Sequence, residues 1–268
     1  MESLVDGQSG AAVFRVTVGL RTLVVKRARP SEWAFYDTAA PLLRHAGVGI
    51  PDRLWSLDLG DASWLVLEHI PRPLPRERWL ADPATMVILR RLHGAQLPSL
   101  DLPGGFRPAW SGSMTTAALD TLPAERSERL RPIMRRFQEE AGPLFEPRHP
   151  ISGDPNPTNW GLRDDGTAVL FDWERFSHGT AALDLAITIP WLSESGAYRQ
   201  VAAAYLAAAP DGAEARQVAA LARQVAVAKV WNVVEYLSLV TLGGLRQSPR
   251  VEAVIQAASD WLTSVARP

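Results

Sequence analysis

The chain of 268 residues contains no cysteine, which excludes disulfides, thiolate metal sites and cysteine nucleophiles and gives no reason to expect an oxidising compartment. It also lacks an excess of charge of either sign. With 28 basic and 29 acidic side chains the formal net charge is -1, so no global field gathers nucleic acid or an anionic membrane, and neither is an expected partner. The five histidines, His45, His69, His93, His149 and His178, show no metal-ligand spacing and read as surface or packing residues. The most apolar late stretch, Val225 to Leu245, is interrupted by Lys229, Asn232 and Glu235 and reads as a buried amphipathic helix rather than a membrane span. The first residues, MESLVDGQSG, have neither the basic start nor the apolar run of a secretory leader, and the expected location is the cytoplasm. Ser152-Gly153 lacks the GxSxG elbow of a serine hydrolase, and no period of 20 to 50 residues repeats.

What is present is a large apolar fraction, 47% of the residues, enough for a sizeable core. Val13 to Val18 and Leu20 to Val25 are rich in β-branched residues and flank Gly19, a hairpin signal. From Ser31, a candidate helix cap, Trp33, Tyr36, Ala40 and Leu43 recur at helical spacing as far as Gly47. Two further strands, about Arg53 to Asp58 and Trp64 to Glu68, flank a Gly60-Asp61 turn. Pro71, Pro73 and Pro75 then interrupt regular structure. The predicted division is therefore a small β-rich lobe with one helix, residues 1–70, and a larger lobe, residues 71–268. The second contains helices over about 83–93 and 125–140, a proline- and glycine-rich loop over 97–112, and a hairpin with its turn at Gly161 to Gly166. From Ala181 onward it is almost entirely helical. The fold class is α+β.

The strongest chemical signal is ISGDPNPTNWGL followed by AVLFDWE. It places Asp154 and Asn159 on a turn and Asp172 at the end of an adjoining strand, so that a hairpin can bring all three together. Hard divalent cations such as Mg2+ take oxygen ligands, typically one or two carboxylates with substrate phosphates and water, which suits Asn159 and Asp172. An Asp beside such a site can accept a hydrogen bond from an attacking hydroxyl, the role expected of Asp154.

The five-residue step from Asp154 to Asn159 is that of the kinase catalytic loop. The whole pattern resembles the HGDxxxxN and IDWE motifs of the aminoglycoside phosphotransferase family, which includes choline and homoserine kinases. The resemblance implies a two-lobed protein-kinase-like fold. It also implies transfer of the γ-phosphate of ATP or GTP to a small-molecule hydroxyl acceptor, with Asp154 as base and Asn159 and Asp172 holding Mg2+. Asp184, in ALDLA, resembles a structural residue of the same family, and LRRLHGA resembles its LxxLH helix end.

The first lobe carries matching features. Lys26 ends the run LVVK and Glu32 opens the next helix, as in the kinase lysine–glutamate pair that positions the nucleotide phosphates; Arg27 competes for the lysine's role. Gly7 and Gly10, in DGQSG, could bring backbone N–H groups to phosphate. WLVLEHI resembles the family's hinge strand, implying that the backbone carbonyl of Glu68 and the backbone N–H of Ile70 meet the adenine. One residue departs from the pattern. The family carries His where this chain has Ser152, so the loop holding Asp154 needs another brace, an ordered water or backbone around Gly153 and Phe171.

For the acceptor, Trp110, Trp191, Trp231 and Tyr236 with Glu235 offer aromatic faces and a carboxylate, which suit a cationic amine; core packing is the competing reading of the aromatics. Two functions from different classes stay open: an active small-molecule kinase, or a catalytically silent nucleotide-binding or scaffold module of the same fold.

Overall fold

The structure, a computed structural model, describes residues 2–3, 12–59, 62–98, 102–209, 214–243 and 249–265. Strands β1 (Glu2–Ser3), β2 (Val13–Val18), β3 (Arg21–Ala28), β4 (Arg53–Asp58) and β5 (Ser63–Glu68) form one antiparallel sheet in the order β1-β2-β3-β5-β4. Gly19, at φ 60°, supplies the left-handed residue of the β2–β3 turn. β3 runs three residues further than its β-branched stretch, so Lys26 lies within the strand, opposite Val13 and Leu65, rather than at its end. Alternation then decides between neighbours: Lys26 is buried and Arg27 exposed. The predicted Gly60-Asp61 turn lies outside the described residues.

A helix in three parts connects β3 to β4: α1 (Pro30–Ala34), a π turn (Phe35–Ala39) and α2 (Ala40–His45). Arg29, not Ser31, is the N-cap, because Pro30 already has the fixed φ of a first helical residue. Ser31 sits inside the first turn, and its hydroxyl donates to the carbonyl of Glu174 at 3.3 Å. The buried face of this helix consists of Phe35, Tyr36, Ala39, Ala40 and Leu43. Phe35 stacks on Trp173, with ring centroids 4.6 Å apart and planes 10° from parallel, and Phe176 lies 4.8 Å away.

The second part of the chain is mostly helical. Strand β6 (Arg72–Pro73) is followed by α3 (Pro83–Gly94), α4 (Gly112–Leu119) and α5 (Ala124–Ala141), then by β7 (His149–Ile151), β8 (Trp160–Leu162), β9 (Ala168–Leu170) and β10 (Ser177–Gly179). Helices α6 (Ala181–Thr188), α7 (Ser195–Ala207), α8 (Ala215–Gly243) and α9 (Pro249–Val265) complete it. Where one hairpin was predicted there are two small sheets, β6-β8-β9 and β10-β7. Gly161 belongs to β8 rather than to the turn: a Cβ there would collide with the side chain of Ile70. The turn itself is made by Asp165, whose carboxylate accepts the N–H of Thr167, and by Gly166 at φ 87°.

The core of this part is α8, packed against α4, α5, α6, α7 and α9. By length and composition it could cross a membrane. Many of its apolar residues are buried in the fold, among them Val225, Ala228, Val230, Trp231, Val234 and Leu237, while Leu239 and Leu242 are exposed.

Candidate active site

Immediately after β7 the chain turns through Ser152, Gly153 and Asp154. Gly153 has φ 77°, and a Cβ on it would land on the carbonyl oxygen of Arg175, so both conformation and space demand glycine. The turn is held from beneath by Asp184 of α6. One carboxylate oxygen accepts the N–H of Ser152 at 2.8 Å and the other that of Gly153 at 2.8 Å. Asp184 is held in turn by His93 at the end of α3, whose Nε2 lies 3.1 Å from Asp184 Oδ2 while its Nδ1 lies 2.9 Å from the hydroxyl of Tyr205. Ser152, His93 and Asp184 are all buried. Beside the backbone contact of Phe171 N–H with the carbonyl of Asn159, the brace on Gly153 is thus a buried carboxylate that the sequence did not single out for this role, a strong acceptor for N–H groups. Ser152 adds one long contact, its hydroxyl oxygen accepting the N–H of Asp154 at 3.3 Å.

Asp154, Asn159 and Asp172 do converge. The amide nitrogen of Asn159 donates to the carbonyl of Asp154 at 3.0 Å and to its carboxylate at 3.1 Å, which leaves the amide oxygen as an outward ligand atom. The β8–β9 pairing, with Phe171 N–H donating to the carbonyl of Asn159 at 3.0 Å, brings the next residue, Asp172, alongside. Asp172 has φ 67°, a conformation costing a non-glycine residue on the order of 1–3 kcal/mol and characteristic of functional sites. Burial pushes the Asp154 carboxyl up to about 6; Arg175 opposes this, Asp172 adds to it, and the Asn159 hydrogen bond offsets part.

Across the cleft, Lys26 Nζ donates to Glu32 at 2.8 Å and to Asp172 at 2.6 Å. Burial works against the lysine's charge, but the two carboxylates more than offset it and hold its pKa above the usual lysine value. Burial shifts Glu32 upward, against the pull of Lys26. Truncating one partner of such a buried pair strands the other charge, at about 3–5 kcal/mol. The predicted glutamate, lysine and aspartate therefore form one chain of contacts from α1, through Lys26 of the sheet, to the end of the β8–β9 hairpin.

The other predicted positions are less uniform. Glu68 closes β5, and its side chain forms a two-pronged pair with Arg163, 2.7 Å on each prong, fastening the sheet to the β8–β9 turn. Ile70 follows and packs on Gly161. Gly7 and Gly10 lie outside the described residues. Of the aromatic candidates, Trp110 and Trp231 are core residues, their indole N–H groups donating to Thr115 and to the carbonyl of Ala109. Tyr236 packs against the core and Trp191 is exposed. Glu235 is bound by Arg175. Two positions beside the candidate site escape sequence reasoning: His93 reads there as a packing histidine within LRRLHGA, and Arg175, three residues past Asp172, belongs to no motif that would single it out.

The architecture and the cleft are those of a kinase-like phosphotransferase. Residues 1–230 match the model of the phosphotransferase enzyme family, APH, and the chain belongs to that family. It is a small-molecule kinase. Among solved structures it is similar to an aminoglycoside-3'-phosphotransferase of type VIII, with 25% identity, 85% of this chain and 93% of that one covered, and a TM-score of 0.50. A choline/ethanolamine kinase family protein from Mesorhizobium loti shares 18% identity over 96% of this chain and 85% of its own, with a TM-score of 0.66. A thermostable mutant of aminoglycoside phosphotransferase APH(4)-Ia shares 15% identity over 99% and 94%, with a TM-score of 0.66. At such identities the last two show the fold. A comparison with curated proteins finds no match.

Proposed function

We propose that the chain transfers the γ-phosphoryl group of ATP or GTP to a hydroxyl of a small molecule, with Asp154 as the base. The observation that carries this reading is the convergence of two side-chain pairs, Lys26 with Asp172 and Asn159 with Asp154, brought together by the β8–β9 pairing although they come from a strand, a turn and a hairpin far apart in sequence. Related structures hold compatible ligands: APH(4)-Ia is known with ADP and hygromycin B, and spectinomycin phosphotransferase with ADP and spectinomycin.

The donor set fits magnesium. The amide oxygen of Asn159 and the carboxylate of Asp172 are the hard oxygen atoms that would hold it. When bound, the ion neutralises phosphate charge. Lys26, kept protonated by its two carboxylates, adds positive charge on the sheet side of the cleft. The acidity of Asp154 leaves it an anion at neutral pH, so it can orient the acceptor hydroxyl and take its proton as the new O–P bond forms and the nucleoside diphosphate leaves. Two features favour the silent-module alternative, Ser152 in place of the family's His and a poor glycine loop; Asp184 bracing the turn removes the first, and the second lies outside the described residues.

Asp154→Asn should lower turnover by about 10² to 10⁴-fold while nucleotide affinity is retained. Asp172→Ala should abolish the magnesium dependence of nucleotide binding measured by calorimetry. Unchanged turnover in the first variant removes Asp154 from the mechanism, and equal affinity of the second and the parent at every magnesium concentration removes Asp172 as a ligand.

A further inference from the structure

Asn159, proposed above as a magnesium ligand, is followed directly by β8, and the three residues of that strand separate it from Arg163. Arg163 makes the two-pronged pair with Glu68, and its Nη2 also donates to the carbonyl of Ile50 at 3.2 Å. Glu68 Oε2 in turn accepts the N–H of Asp52 at 3.1 Å, and the N–H of Glu68 donates to the carbonyl of Asp52 at 2.8 Å. One arginine thus joins the last residue of β5, and the segment leading into β4, to the end of β8.

The chain leaving β5 is laid along the same strand. Ile70 packs on Gly161 so closely that a Cβ there would meet Ile70 Cγ2 at 2.5 Å and the carbonyl oxygen of Arg72 at 2.9 Å. Arg72 and Pro73 pair with Leu162 and Gly161, and Leu74 N–H donates to the carbonyl of Trp160 at 3.0 Å. The Arg72 guanidinium donates to the carbonyls of Arg163 and Asp164. At Glu68 the fastening to this part of the fold is made by side chains, and the partner is Arg163. Burial works against the charge of Glu68, but the hydrogen bonds from Arg163 and from the N–H of Asp52 more than offset it and hold the carboxyl below its usual range. The pair is therefore ionic at neutral pH. A planar guanidinium giving two parallel N–H···O bonds fixes orientation as well as distance.

We infer that Arg163 is a positioning residue for the nucleotide: through Glu68 it sets where the backbone of residues 68–70 meets the base, relative to Asn159 and Asp172 at the phosphates. This rests on the kinase reading above, with the base against the Glu68 carbonyl and the Ile70 N–H, and adds to it a residue that no motif singles out. A nucleotide held at both ends binds tightly only while the separation of the two grips is preset to its span. Loss of Arg163 therefore weakens a ligand that uses both ends and spares one that uses the phosphate end alone.

The test measures, on the full chain with magnesium, the Kd for ATP, for GTP and for inorganic tripolyphosphate, which has no base. Arg163→Ala should raise the Kd of the preferred nucleotide at least about tenfold, the scale of a lost hydrogen bond between charged groups, and change that of tripolyphosphate by less than about twofold. Arg163→Lys, a point charge without the fork, should fall between parent and Arg163→Ala. Adding Glu68→Gln to Arg163→Ala should cost less than about twofold more, because Arg163 acts through that carboxylate. Unchanged nucleotide affinity in Arg163→Ala, an equal loss for nucleotide and tripolyphosphate, or a second tenfold loss on adding Glu68→Gln overturns the inference and leaves the kinase reading standing. A parent chain that binds neither ATP nor GTP with magnesium overturns the kinase reading itself, and this inference with it.

Discussion

Ser152 occupies the position at which the chain departs from its family's pattern, and its surroundings explain why the departure is tolerated. The two backbone N–H groups that orient the turn end on one carboxylate, Asp184, so the side chain at 152 contributes only a single contact of 3.3 Å. Ser152→Ala should therefore cost less than about tenfold in turnover, well under the range for losing a general base. Asp184→Asn should cost more than Ser152→Ala, because one of the two N–H groups would then face an amide N–H₂ in a fully buried site. Steady-state kinetics of both variants with one acceptor decide the matter; a Ser152→Ala defect as deep as that of Asp154→Asn would mean that Ser152 takes part in the chemistry.

Among the secondary-structure elements, α6 has the clearest dependence on a neighbour. It carries Asp184, and the carbonyls of Ala186 in its last turn and of Ile189, the residue just past it, accept from Lys229 Nζ of α8 at 3.1 and 2.8 Å. A cation at a helix C-terminus satisfies carbonyls that have no partner within the helix. Burial nevertheless pulls this lysine down to about 8. Between that value and the ordinary lysine range the unfolded chain holds a proton that the folded chain does not. Stability from this residue is therefore lowest at neutral pH and rises as pH increases through that window. In urea unfolding, the parent should gain on the order of 2 kcal/mol relative to Lys229→Met between about pH 7.5 and about pH 10. Parallel pH profiles for the two proteins would show that Lys229 does not titrate in the folded state.

At the scale of the whole molecule, we propose lobes of residues 1–70 and 71–268, meeting at the prolines after β5. They are fastened by the Lys26–Asp172 pair, by Arg163 on Glu68, by Leu170 N–H donating to the carbonyl of Gly49 at 2.9 Å, and by the Phe35–Trp173 stack. Phe35 of the π turn is buried against Trp173 and Phe176 of the second lobe, and Lys26 and Glu68 take their partners from it, so a fragment of residues 1–70 should remain unfolded by circular dichroism. The full chain should show one coincident transition by fluorescence and circular dichroism. Two separated transitions would mean that the lobes are stable independently.

Much of this was legible in the sequence, because the features concerned are local. Strand alternation, the helix ending at Gly47, the prolines after β5 and the spacing of Asp154, Asn159 and Asp172 each follow from a few neighbouring residues. Lys26 and Glu32 were likewise identifiable, although the strand boundary was placed too early, since strand pairing with β5 rather than propensity extends β3 to Ala28. The misreading of Ser31 was also local, the competing cap being set by Pro30. What sequence could not supply were partnerships across long separations. Asp184 meets Ser152 and Gly153, His93 meets Asp184, and Arg175 takes Glu235 and covers Phe106. A buried polar group takes the partner that the packing of distant elements places beside it. Chain neighbourhood thus determined the motif of Asp154, Asn159 and Asp172, and only tertiary packing decided what braces the turn at Ser152 and Gly153 and which carboxylate Arg175 meets.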